Sequence, residues 1–168
     1  MKSKRLHKQL CLPQAAHSKH DPLMKHLHKP IHILLVEDNM GDIRLTQEAF
    51  KDSQFEVNLE YVTDGAEAIK YLQKEDKYAD KGTPDLVLLD LNLPKRNGHE
   101  VLEYIKGDEE LCTIPVLMLT TSTAPRDVRG SYILHANCYI NKPIDFNQFN
   151  EVIRQVENFW LMTATLPN

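Results

Sequence analysis

The chain has 168 residues, 42% hydrophobic and 26% charged, with a formal net charge of −4, a composition ordinary for one water-soluble domain with a substantial core. No apolar run approaches the ~20 residues of a membrane helix. The cysteines Cys11, Cys112 and Cys138 have no metal-ligand spacing and fit free thiols in a cytoplasmic setting, with no disulfide needed.

Charge is unevenly spread. Residues 1–30 carry seven Lys/Arg, one acid and five of the eight histidines, whereas the remainder holds thirteen bases and twenty-three acids. This first segment has too little apolar content to fold alone, and no apolar core of a signal peptide. It reads as a disordered, His-rich basic arm whose solvated state is preferred over nucleic-acid or membrane binding. His26, His28 and His32 have no suitably spaced Cys or carboxylate partner, which argues against a metal site there.

After Pro30 the pattern alternates. Ile31 to Val36 reads as a strand ending in Glu37-Asp38-Asn39, and a helix follows from Gly41-Asp42 to about Lys51. Phe55 to Val62 is a second strand, with Val57, Leu59 and Tyr61 alternating against polar residues. Asp64 to Glu67 has the spacing of a capping box, opening a helix that buries Ala68, Ile69 and Leu72. Residues 73–84 are polar and punctuated by Gly82 and Pro84, so they read as a long surface loop.

Leu86 to Leu89 is a short apolar run, read as a strand buried on both faces and ending at Asp90. A third helix covers roughly His99 to Lys106. A fourth strand, Val116 to Leu119, ends in Thr120-Thr121-Ser122. The fourth helix, about Pro125 to His135, is weakened by Gly130, which costs about 1 kcal/mol against alanine. Cys138-Tyr139-Ile140 is a fifth strand ending at Asn141-Lys142-Pro143. Asp145 caps a fifth helix with an apolar stripe from Phe149 to Trp160. Five strand–helix alternations over residues 31–160 predict a doubly wound α/β domain with a mostly parallel sheet, followed by a short tail at 161–168.

In such folds chemistry sits beyond the carboxyl ends of the strands. Glu37, Asp38, Asp90, Thr120 and Lys142 all fall there. Taken singly, each is a turn, cap or solvated residue; taken together they are complementary. Asp38 and Asp90 offer hard oxygen ligands to Mg²⁺, Lys142 and Thr120 suit phosphoryl oxygens, and an Asp can act as nucleophile to form an aspartyl phosphate.

These residues, within Ile33-Leu34-Leu35-Val36-Glu37-Asp38, Asp85-Leu86-Val87-Leu88-Leu89-Asp90 with Pro94 and Gly98, Leu119-Thr120-Thr121-Ser122 and Tyr139-Ile140-Asn141-Lys142-Pro143, resemble the receiver domain of two-component response regulators. The intervals of 30 residues from Asp90 to Thr120 and 22 to Lys142 match that family. The resemblance implies a flavodoxin-like (CheY-like) sheet of order 2-1-3-4-5, and a phosphoacceptor rather than an enzyme. Asp90 would take a phosphoryl group from a sensor histidine kinase. Mg²⁺, or Mn²⁺, would be held by Glu37, Asp38, Asp90 and the backbone carbonyl of Asn92. Thr120, Lys142 and the aromatic Tyr139 would bind the phosphoryl group and switch. A cis peptide before Pro143 would aim Lys142. The runs Val36-Glu37-Asp38-Asn39, Gly41-Asp42-Ile43-Arg44-Leu45 and Asn158-Phe159-Trp160-Leu161 further resemble regulators that work alone with bacterial phytochrome kinases.

That narrower resemblance implies a homodimer through helix four, strand five and helix five; no direct nucleic-acid or membrane partner is expected. Thr121, where the family often has a smaller residue, is expected to hinder water and lengthen the acyl phosphate's life. An aspartyl-phosphate phosphatase of the haloacid dehalogenase class would need a second Asp where Asn92 stands, a pseudo-receiver would lack part of the Asp38, Asp90, Thr120, Lys142 set, and an isoalloxazine site would not want these charges.

Overall fold

The computed structural model describes residues 29–167, so nearly all of the basic arm lies outside it. The element order is β1 (Ile31–Val36), α1 (Met40–Lys51), β2 (Val57–Val62), α2 (Gly65–Gln73), β3 (Leu86–Leu89), α3 (Gly98–Gly107), β4 (Val116–Thr120), α4 (Pro125–Ile133), β5 (Cys138–Asn141) and α5 (Phe146–Val156). The five strands pair in parallel in the order β2-β1-β3-β4-β5.

Because successive strand side chains point to opposite faces, each apolar strand feeds two cores. Leu34, Val36, Val87, Leu89, Val116 and Met118 face α2 and α3, where Ala68, Leu72, Leu102 and Ile105 cover them. Ile33, Leu35, Leu86, Leu88, Leu117 and Leu119 face the opposite layer, covered by Ile43 and Phe50 of α1 and by Phe149, Ile153 and Val156 of α5. Burial on both sides explains why β3 is a continuous apolar run rather than an alternating one.

Several boundaries differ from expectation for local reasons. The Phe55 amide turns back onto Ser53 Oγ at 3.1 Å, so β2 starts only at Val57. Asp64 caps α2 by accepting the Glu67 amide, but the Glu67 carboxylate does not return to it. Instead it accepts the Tyr78 hydroxyl at 2.7 Å and pairs with Lys77. That contact folds Asp76–Tyr78 of the long loop into a 3₁₀ turn with Tyr78 buried. The reciprocal capping box lies at α3, between Asn97 and Glu100.

Beyond α5 the chain continues as a π-helical segment, Glu157–Thr163. Trp160 and Leu161 pack there against the α1/α5 core, while Phe159 and Met162 remain exposed.

Candidate functional site

Register brings the strand ends together. Val36 lies opposite Leu89, and the Asp90 amide donates to the Val36 carbonyl at 2.9 Å, so Glu37-Asp38 and Asp90 emerge side by side. Carboxylate oxygens of Glu37, Asp38 and Asp90 all lie within 4.8 Å of one another. Glu37 and Asp90 are buried and Asp38 is exposed. Asn39 caps α1 through the Gly41 and Asp42 amides, which turns the chain away immediately after the two acids.

On the far side, Thr120 lies opposite Asn141, and the Lys142 amide donates to the Thr120 carbonyl at 2.8 Å. This directs the Lys142 side chain, only 4% exposed, back across the strand ends. Its Nζ donates to Asp90 Oδ2 at 2.8 Å, to Asp42 Oδ2 at 3.1 Å and to Glu37 Oε2. Asp90 Oδ1 accepts the amides of Leu91 at 2.6 Å and Asn92 at 3.3 Å, so both of its oxygens are held.

The electrostatics follow from this packing. Burial alone would lower the Lys142 pKa, but Asp90 and Glu37 outweigh it and hold the ammonium up to about 12. Burial pushes the Glu37 carboxyl up, against the opposing pull of Lys142 and the Asn39 amide. With Glu37, Asp38, Asp42 and Asp90 around one ammonium, the site is rich in negative charge. Hard, closely spaced oxygens with one exposed member fit a small divalent cation that retains water ligands.

The other expected residues divide. Thr120 is fully buried beside the site, yet its hydroxyl accepts the Ser122 amide at 3.3 Å and makes no hydrogen bond to Asp90. Tyr139 is half-buried, and its hydroxyl donates to the Ser122 carbonyl at 2.9 Å. Thr121 is exposed. The expected cis bond before Pro143 is not found: among the described residues every peptide is trans. Trans is the intrinsically favoured X–Pro isomer, and Lys142 reaches all three carboxylates without the exception.

Asp42 is the residue that sequence reasoning missed as part of the site. It reads there as a first-turn helix acid, which it also is. A signal existed in its place in the first turn of the helix that follows Glu37 and Asp38 directly, which keeps it near the strand end. Two concavities lie elsewhere. One of about 400 Å³ is lined by Ala66, Ile69, Arg96 and Tyr104, and one of about 610 Å³ by His32, Glu60, Asp80 and Lys81. No group lining either of them belongs to the acidic cluster.

The response regulator receiver domain model matches residues 33–154. Response regulator Rcp1 of Synechocystis sp. is 46% identical over 135 residues, spanning 80% of this chain and 92% of that protein. The phosphorylated cyanobacterial phytochrome response regulator RcpA is 49% identical with a TM-score of 0.81, covering 83% of this chain and all of that one. The Mn²⁺-bound form of Rcp1 is 45% identical with a TM-score of 0.80, at the same coverage of each chain.

Replacing Lys142 by Met leaves two buried carboxylates without their cation. Urea unfolding at neutral pH without divalent metal is expected to show a loss of about 3 kcal/mol. Asp90→Asn, which removes one of the competing negative charges, is expected to cost far less; equal losses would contradict the charge argument.

Proposed function

The chain belongs to the response regulator receiver family, and on that premise we propose that Asp90 is the phosphoacceptor of a two-component phosphorelay. The observation that carries the assignment is the buried Asp90 carboxylate, held between two backbone amides and the Lys142 ammonium beside Glu37 and Asp38. An Asp90 oxygen attacks the phosphorus of a kinase phosphohistidine. The O–P bond forms as the P–N bond breaks, and the imidazole leaves with a proton. Lys142 shifts from carboxylate to phosphoryl oxygens, where its charge is needed as the three equatorial oxygens become electron-rich.

A divalent cation, Mg²⁺ in this reading or Mn²⁺, would be held by Glu37, Asp38, Asp90 and the Asn92 carbonyl, and when bound would neutralise charge shared between Asp90 and the phosphoryl group. Receiver chemistry of this kind is acceptance, not turnover of an external substrate. Asn92 supports that view: it is exposed, donates its amide to Asp90, and offers no second carboxyl acid two residues on. Thr120 completes the phosphoryl pocket by giving up the Ser122 amide, and Tyr139 follows through its bond to the Ser122 carbonyl. Pro143 closes the strand behind Lys142.

The partner is a sensor histidine kinase. The similarity to RcpA, a cyanobacterial phytochrome response regulator, favours a phytochrome-type kinase. No described helix is long and apolar enough to cross a membrane, and Cys112 and Cys138 are free thiols, which suits work in the cytoplasm. Within this reading residues 31–160 form the receiver, residues 1–30 a basic arm, and 161–168 a tail. Exposed Tyr132 and Ile133 on α4 and Phe146 on α5 favour a homodimer through the α4-β5-α5 face. No nucleic acid is part of the reading.

Incubation with acetyl phosphate and Mg²⁺ should add one acid-type phosphate to Asp90 by mass spectrometry. The label should disappear in Asp90→Asn and fall sharply without metal or in Asp38→Ala; metal-independent labelling would overturn the site. Thr121→Ala should shorten the label's half-life, because a smaller side chain at the site's exposed rim admits water; an unchanged decay would remove Thr121 from the mechanism. Light scattering should give a dimer that strengthens on phosphorylation, and a monomer in both states would end the dimer reading.

A further inference from the structure

The phosphoacceptor site leaves two residues unexplained, Gly130 and His99. Gly130 lies inside α4, where glycine weakens a helix. A Cβ at Gly130 would sit 3.1 Å from Cε1 and 3.4 Å from Nε2 of His99, so the glycine makes room for an imidazole carried on the first turn of α3. His99 Nε2 lies 2.9 Å from Ser131 Oγ and 3.3 Å from the Asp127 carbonyl oxygen. A carbonyl oxygen only accepts, so Nε2 carries the proton and donates. Ser131, itself fully buried, donates its hydroxyl to the same Asp127 carbonyl at 2.9 Å. Among the described residues these are the side-chain hydrogen bonds that join α3 to α4.

Both ends of this link lead to the phosphoacceptor. His99 follows Gly98, whose amide donates to the Leu91 carbonyl at 2.8 Å. Gly98 packs so closely that a Cβ there would lie 2.2 Å from the Asp90 carbonyl oxygen. From α4 the path returns through Ser122, whose hydroxyl donates to Asp127 Oδ2 at 2.6 Å and whose amide donates to Thr120. The first turn of α3, directly behind the loop that follows β3, and the loop that follows β4 therefore both bond to one stretch of α4, Asp127 to Ser131.

We propose that His99 is a positioning residue that couples α4 to the phosphoacceptor loop. Displacement of the segment after Asp90 reaches α4 through the imidazole, in parallel with the route through Thr120, Ser122 and Tyr139. The inference rests on Asp90 being the phosphoacceptor. Spatial continuity alone does not establish coupling; a change in the response of α4 to phosphorylation does.

Hydrogen exchange of the full chain, with and without acetyl phosphate and Mg²⁺, reads this response at the α4 amides, while mass spectrometry of Asp90 in the same samples reports the label. In wild type the α4 exchange rate should differ between the two states. In His99→Leu, α4 should exchange about tenfold faster without phosphate, and the ratio between the two states should collapse toward unity. His99→Gln, which keeps a side-chain donor, should recover much of the ratio; Ser131→Ala, which removes an acceptor, should lower it as His99→Leu does. A labelled His99→Leu chain with the wild-type ratio would overturn the inference, since a merely structural residue speeds exchange in both states alike. An unlabelled wild-type Asp90 would overturn the phosphoacceptor reading and this inference with it.

Discussion

The structure depends on one buried cation. Lys142 sits almost out of solvent among Glu37, Asp42 and Asp90, so three carboxylates from two segments of the chain converge on an ammonium from a third. Burying these acids without a counter-ion would be costly. With it they are tolerable but unbalanced, because three carboxylates face one ammonium and Asp38 brings further negative charge. This imbalance is what suits the strand ends to a divalent cation.

The parallel sheet makes that convergence unavoidable. Register places Val36 beside Leu89 and Thr120 beside Asn141, so the residues that follow leave the sheet at one edge. Apolar strands packed on both faces then leave those ends little freedom to move. Between β4 and α4 the packing is hydrogen-bonded instead: the Thr120 hydroxyl on the Ser122 amide, the Tyr139 hydroxyl on the Ser122 carbonyl, and the imidazole of His99 against α4.

Element order and identity were legible because the apolar periods of strands and helices differ, and the signal is strong wherever a segment is buried on one or both faces. Helix caps were legible at Asp64 and Asp145, whose side chains accept the N3 amide. The destination of Glu67 was not. Its spacing from Asp64 promised a capping box, but a tyrosine from the following loop competes for the carboxylate. The beginning of β2 was missed for a similar reason, a local Ser53 bond that no period reveals.

From the sequence alone came the alternation of five strands and helices, the acids and the lysine at strand ends, and the resemblance to receivers, because each is written in local pattern and spacing. Tertiary structure alone decided that Lys142 contacts Asp42 as well as Glu37 and Asp90, that it does so with a trans Lys142–Pro143 bond, and that His99 packs where a side chain at Gly130 would crowd it. Those facts concern side chains from segments as much as 105 residues apart. Their meeting is fixed by strand register and helix packing, which no local pattern encodes.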